Sequence, residues 1–191
     1  DFCLSRGLGD VYKRQQLNSQ YTAIQTDEKL RKEMDFKQRF KPENIRAAIF
    51  FGGFYNMNTV KKTEFPRIQL FMRSYTGTEN WETEFRDLSE MSTIEHVTKN
   101  YPPTFLSVGD ADPFASQNEE FAQVLDEKGT SVDTLFYDGS HQLRHQYQFH
   151  LNLPESKENL TQVQRFLSRN TSSTTMKEQD EQTDSVQLNP Y

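Results

Sequence analysis

Two acids and two histidines in the second half of the sequence could move protons together. Asp110 and Asp112 stand in "SVGDADPF", directly after an apolar run. His141 and His145 stand in "FYDGSHQLRHQYQF", directly after another. A carboxylate that holds an imidazole fixes its tautomer and stabilises its protonated form. The other ring nitrogen can then take a proton from a nucleophile. Each residue type also has a plainer use. Aspartate after a strand closes turns and caps helices, and a loop histidine is commonly solvated. His141, His145 and His150 have a spacing that permits metal binding, but no acid or cysteine completes a convincing set. The combination, acid then histidine after consecutive apolar runs, is what singles these residues out.

The elements around them must bring the two loops together. Thr104–Val108 reads as a strand opened by Pro102 and Pro103. Ser116 and Glu119 form a capping box, and Phe121, Val124 and Leu125 follow at helical spacing. Gly129 is a natural helix stop. Ser131–Gly139 supplies another strand, and Leu160, Val163 and Leu167 mark a last helix. Strand, helix, strand, helix is a βαβ unit with parallel strands. Parallel neighbours put their carboxyl ends on one edge, where ligands of open α/β sheets bind. Asp112 and a histidine can meet there.

Upstream, Ile45–Phe51 is a short apolar run closed by Gly52 and Gly53, which suits a strand buried on both faces. Residues 16–40 carry helical spacing. Leu17, Tyr21 and Ile24 share a face, and Leu30 and Met34 extend the stripe past a break near Thr26 and Asp27. Residues 60–100 hold many aromatics without alternation and read as short helices and loops lying over the sheet. Packing is the expected role of Phe65, Phe71 and Trp81.

"YPPTFLSVGDADPFASQNEEFAQVLDEKGTSVDTLFYDG", followed by "HQYQF", resembles the C-terminal part of an α/β-hydrolase of the esterase/lipase type. In particular it resembles a bacterial branch of the hormone-sensitive-lipase-like esterases. "SYTGT" and "EHVTKNYPPTF" also fit that branch, and the likeness runs from about Gln15 to Leu167. The resemblance implies an α/β fold with parallel strands, flanking helices and an incomplete sheet. It implies that Asp112, in an Asp-Pro after its strand, is the triad acid. His145, heading a His-X-Tyr-Gln-Phe segment, is implied as the triad base, with His141 as the alternative. His96 is then structural. The implied substrate is a small-molecule carboxylic ester, with no metal and no organic cofactor.

The family's nucleophilic serine sits in a G-x-S-x-G turn with a Gly-rich oxyanion loop upstream. This sequence has neither. Cys3-Leu-Ser5-Arg-Gly7 mimics the turn, but no apolar strand precedes it and its spacing to the following helix is too long. The opening "DFCLSRGLGDVYKRQ" resembles translated read-through of a sequencing-library adapter, a segment to exclude from fold reasoning. The expected organisation is a non-native segment over 1–15, a partial α/β-hydrolase domain over 16–170 and a disordered polar tail over 171–191. The natural protein is expected to continue upstream with the serine, which leaves this chain inactive alone. The competing expectation is a non-catalytic ligand- or protein-binding module of the same fold.

Composition narrows the setting. The net charge of -6 argues against a nucleic-acid binder. Lys29, Arg31, Lys32, Lys37 and Arg39 cluster, but acids intersperse them as on a solvated helix face. No apolar run is long enough to span a membrane and no secretory signal is visible. Cys3 is the single cysteine, so an internal disulfide is impossible and a cytoplasmic location is expected.

Overall fold

The computed structural model describes residues 2–171, with side chains described from Arg14 onward. In chain order the elements are α1 (Phe2–Thr26), α2 (Glu28–Glu33), β1 (Ala48–Phe51), α3 (Ile68–Thr76), α4 (Trp81–Glu84), α5 (Leu88–Met91), β2 (Thr104–Ser107), α6 (Ala115–Glu127), β3 (Val132–Leu135) and α7 (Pro154–Thr171). The three strands form one parallel sheet in the order β1-β2-β3. Thr104 pairs with Ala48 on one side and Val132 on the other. The expected parallel sheet with flanking helices is therefore the observed architecture. The strands are shorter at their ends than the apolar runs that announce them.

One face of the sheet holds the main core. Ala23 and Ile24 of α1 meet Phe50 and Leu106 of the strands and Phe121 and Leu125 of α6. α7 covers the other face, where Phe166 packs against Phe105 with ring centroids 5.8 Å apart. A second core lies beneath the insertion between β1 and β2. Phe54, Phe71, Trp81 and Phe114 are its largest members. Trp81 is 1% exposed and its indole N–H donates to Gln69. Packing thus accounts for Trp81 and Phe71, as expected.

Four local expectations need correction. Leu17 and Tyr21 do not face the core; they are 51% and 37% exposed. Ile24 is buried as expected, but most of the buried face of α1 is polar, made by Gln16, Ser19, Gln20, Gln25 and Thr26 beside Ala23 and Ile24. Its hold is directional. Gln16 donates to the Met91 carbonyl, Gln20 to the Glu90 carbonyl, and the Ser19 and Thr93 hydroxyls bond each other. Hydrophobic spacing cannot see a face that is satisfied by hydrogen bonds. Residues 36–40 are not helical either. Buried Gln25 accepts the backbone N–H groups of Arg39 and Phe40, which ties that stretch down as coil.

The capping box at Ser116 does not form. α6 starts at Ala115, two residues earlier than a Ser116 cap would set it, with no side-chain cap, and the Asp112 carboxylate takes the Phe114 N–H ahead of it. Finally, Leu160 is 46% exposed, and Phe166 is the residue that α7 buries. Two predicted punctuation marks hold. Asp27 ends one helix and caps the next, accepting the Lys29 N–H, and Gly129 terminates α6 with φ of 74°. The backbone of α1 begins at Phe2. Side chains 1–13 and residues 172–191 lie outside the described residues, and so do the expectations about the opening segment and the tail.

Candidate active site

Three loops converge at the carboxyl edge of the sheet. Gly52 follows β1, residues 108–114 follow β2, and residues 136–146 follow β3. The pairing register fixes their depth, because Phe51, Ser107 and Leu135 end their strands side by side. Asp112 and His145 are therefore delivered to the same place by adjacent strands.

There the His145 Nδ1 lies 2.6 Å from Asp112 Oδ2. The Asp112 side chain is wholly buried and that of His145 is 8% exposed. A short contact between buried partners is a charge-assisted hydrogen bond in which Nδ1–H donates to the carboxylate. Proton at Nδ1 leaves the lone pair on Nε2, the tautomer that can act as a general base. The other Asp112 oxygen accepts the Phe114 N–H at 2.9 Å, so the carboxylate cannot swing away.

Gly52 backs this contact. Its φ is 61°, and a Cβ there would lie 2.8 Å from Asp112 Oδ2 and 3.1 Å from His145 Nδ1. Any side chain would collide with the pair. Sequence reasoning treats Gly52 only as a strand terminator. The glycine doublet after a buried strand is the signal that could have pointed further, since such glycines mark close approach.

The remaining predicted residues are placed elsewhere. His141 is exposed and does not contact Asp112; its Nδ1 lies 3.0 Å from Glu155 Oε1 on α7, and its ring lies over Tyr137 with centroids 4.6 Å apart. The Glu155 bond raises the His141 pKa, and the same bond lowers that of Glu155. His96 is buried, with Nε2 2.9 Å from the Ser89 carbonyl and Nδ1 3.4 Å from Asp27, which is a structural setting. Among the described residues no group of three or more His, Cys, Asp or Glu could hold a metal ion, so His141, His145 and His150 do not assemble into one.

Asp110 does not contact an imidazole. Its Oδ2 accepts the His141 and Gln142 N–H groups at 2.8 and 3.0 Å, and its Oδ1 accepts that of Leu143 at 2.6 Å. Desolvation pushes its pKa up, but the N–H groups of Leu143, Gln142 and His141 prevail and leave it below the ordinary value. Beneath the loop, the Ser107 hydroxyl bonds the Tyr147 hydroxyl at 2.8 Å and accepts the Gln148 amide at 3.0 Å. Ser156 of α7 donates to the Tyr147 carbonyl. These contacts fasten the segment after His145 to β2 and α7. A groove of about 460 Å³ lies at the opposite, amino end of the strands, lined by Pro42, Ile45, Tyr101 and Pro102 among others, and adjoins none of these groups.

Residues 37–172 match the prolyl oligopeptidase family. Comparison with curated proteins finds no match. Among solved structures, esterase B from Lactobacillus rhamnosis is similar with a TM-score of 0.65 at 17% identity, over 88% of this chain and 52% of that one. A structure described as inhibited by a tributyrin phosphonate, of the same esterase, aligns with a TM-score of 0.62 at 18% identity, over 88% and 52%. The acylaminoacyl peptidase of Pyrococcus horikoshii aligns with a TM-score of 0.54 at 16% identity, over 68% of this chain and 21% of that one. At such identities the likeness is one of fold, and the fold is that of the α/β-hydrolases. The chain spans about half the length of the esterase structures. Among the described residues no helix is long and apolar enough to cross a membrane.

Proposed function

Because this chain belongs to the prolyl oligopeptidase family, we propose that it carries the acid and base of a serine carboxylic-ester hydrolase. The observation that supports this reading is the buried 2.6 Å contact between His145 Nδ1 and Asp112 Oδ2 at the carboxyl edge of the sheet. His145 is the general base and Asp112 its orienter. In the intact enzyme, Nε2 of His145 takes the hydroxyl proton of a serine as its Oγ attacks the ester carbonyl. Asp112 stabilises the imidazolium that forms. Collapse of the tetrahedral intermediate expels the alcohol, which receives the proton from Nε2 and leaves an acyl-enzyme. Water then repeats the sequence with the acyl carbon as target, releasing the acid and restoring the serine.

No G-x-S-x-G turn stands in these 191 residues, and we assign the serine and the oxyanion loop to sequence upstream of Gln16. On this reading the 191-residue chain alone hydrolyses no ester above background. Losing a single oxyanion donor typically costs about 10²–10³ in rate. The missing turn also favours the second reading, a non-catalytic binding module of the same fold. Sequencing the gene upstream of codon 16 separates them. A serine turn in frame, followed by turnover of a short-chain aryl ester in the lengthened protein, supports the hydrolase. In that protein His145→Ala and Asp112→Asn each lower kcat by about 10⁴. A turn without a nucleophile supports the binding module. With one cysteine in the sequence, a reducing compartment, the cytoplasm, is part of the same proposal.

A further inference from the structure

We infer that Asp110 is the positioning residue of this site: its carboxylate sets the histidine loop at the height where His145 reaches Asp112. The inference rests on the reading of Asp112 and His145 as a working pair. Three consecutive backbone N–H groups, from His141, Gln142 and Leu143, converge on the one carboxylate. Convergence of that kind needs an unusual backbone, and Gln142 supplies it with φ of 56°. A non-glycine residue holds this conformation only where its surroundings demand it. The resulting concavity of amides is an anion nest, here filled by a side chain from the neighbouring loop.

The seam is closed from the other side as well. The Ala111 N–H donates to the Leu143 carbonyl at 2.9 Å. Gly109 lies so close that a Cβ there would come within 2.2 Å of the same oxygen. Leu143 is buried, so its amide needs the Asp110 oxygen in place of water. One residue, Arg144, separates this clamp from His145. The loop otherwise enters through Gly139, at φ of 94°, and is tethered to α7 by exposed side chains, His141 to Glu155 and the Tyr137 hydroxyl to Glu158. Asp110 and Asp112 thus divide the work. One holds the loop by its backbone and the other holds the ring it delivers.

The test uses the 191-residue chain, since the readout is the imidazole itself and needs no turnover. The ring nitrogens of His145 and the low-field Nδ1 proton are followed by NMR, with amide exchange measured at residues 141–143, 104–107 and 132–135. Asp112→Asn is the benchmark that removes the charged acceptor directly. In Asp110→Ala the low-field proton is lost, the Nδ1–H tautomer is no longer fixed, and exchange at 141–143 rises at least about tenfold, as loss of charge-assisted bonds implies. The sheet amides stay protected. Asp110→Asn, of the same shape and with one carbonyl acceptor, recovers part of both signals. If both Asp110 variants keep the low-field proton and the tautomer while exchange at 141–143 rises, Asp110 braces the loop without positioning His145, and the inference is overturned. Loss of sheet protection in both variants overturns it too, by making Asp110 a general folding residue. A low-field proton that is absent from the unaltered chain, or that survives Asp112→Asn, defeats the acid–base pair itself and the inference with it.

Discussion

Gly52 contributes no side chain, and the contact between Asp112 and His145 depends on that. Gly52→Ala places a methyl 2.8 Å from Asp112 Oδ2 at a backbone angle that L residues adopt at a cost. The expected loss is about 1–3 kcal/mol in urea unfolding, accompanied by a changed His145 ring signal. A change in stability with an unmoved ring would show that the loop yields instead. His141 carries a different expectation. Its folded pKa lies above the ordinary 6.5 and that of Glu155 below the ordinary 4.5. A raised histidine contributes fully below its unfolded value and loses that contribution as pH rises through the folded one. A lowered carboxylate contributes fully above its unfolded value and loses it as pH falls through the folded one. The pair is therefore complete between about pH 4.5 and 6.5. The stability difference between the unaltered chain and His141→Asn is expected to be largest there and to shrink by about pH 9, by urea titration at each pH. It is small throughout because both groups meet solvent.

At the scale of the elements, burial and hydropathic spacing disagree in instructive places. α7 has apolar residues at Leu160, Val163 and Leu167, yet Phe166 is its buried anchor. Phe166→Ala is expected to cost about 3–5 kcal/mol, and Leu160→Ala less than about 0.5, in the same unfolding assay. Comparable losses would mean that the helix is rotated. The strands and their parallel pairing were legible from runs bounded by glycine and proline, although only the central β2 is buried along its whole length, while β1 alternates and β3 is half-buried. That an acid and a histidine could meet was legible because the two runs end at one edge, whereas Asp112 and His145 in particular were singled out by the resemblance of the Asp-Pro and His-X-Tyr-Gln-Phe segments. The face of α1 was not, since glutamine and serine hold it through specific partners on α5 and residues 93–96 rather than through apolar area. Asp110 looked like a second acid for the same histidine. Its real partners are backbone amides, and residue type does not announce those.

For the whole molecule, the sheet has an open side among the described residues. β1 pairs with β2 alone. The Ala48 and Gly52 N–H groups point at β2, so the Phe51 N–H between them points outward, where the Gln15 side chain accepts it. Beside this edge, Phe149 packs edge-on to Phe51 and is itself 62% exposed, with Leu151 57% exposed. An open edge next to exposed apolar side chains favours association. The chain is expected to self-associate as its concentration rises, and the double variant Phe149→Ser, Leu151→Ser to do so less, by light scattering. Equal scattering from both would remove this patch as the cause.

The uneven spacing of the three strands also sets a timetable. β2 and β3 are joined through residues 108–131, about half of them in α6, whereas β1 reaches β2 only across residues 52–103 and their separate core. Each doubling of a connection adds about 0.6 kcal/mol of closure entropy, and the longer one must also order its own aromatic cluster. The β2–α6–β3 unit is thus the natural nucleus, with β1 arriving afterwards. Leu125→Ala on α6 should slow refolding, while Met72→Ala in the insertion should mainly speed unfolding. Asp112 lies within the early unit and His145 on the loop that leaves its last strand, so their pairing is expected to precede the arrival of Gly52 behind them: the acid and the base meet before the wall that confines them is built.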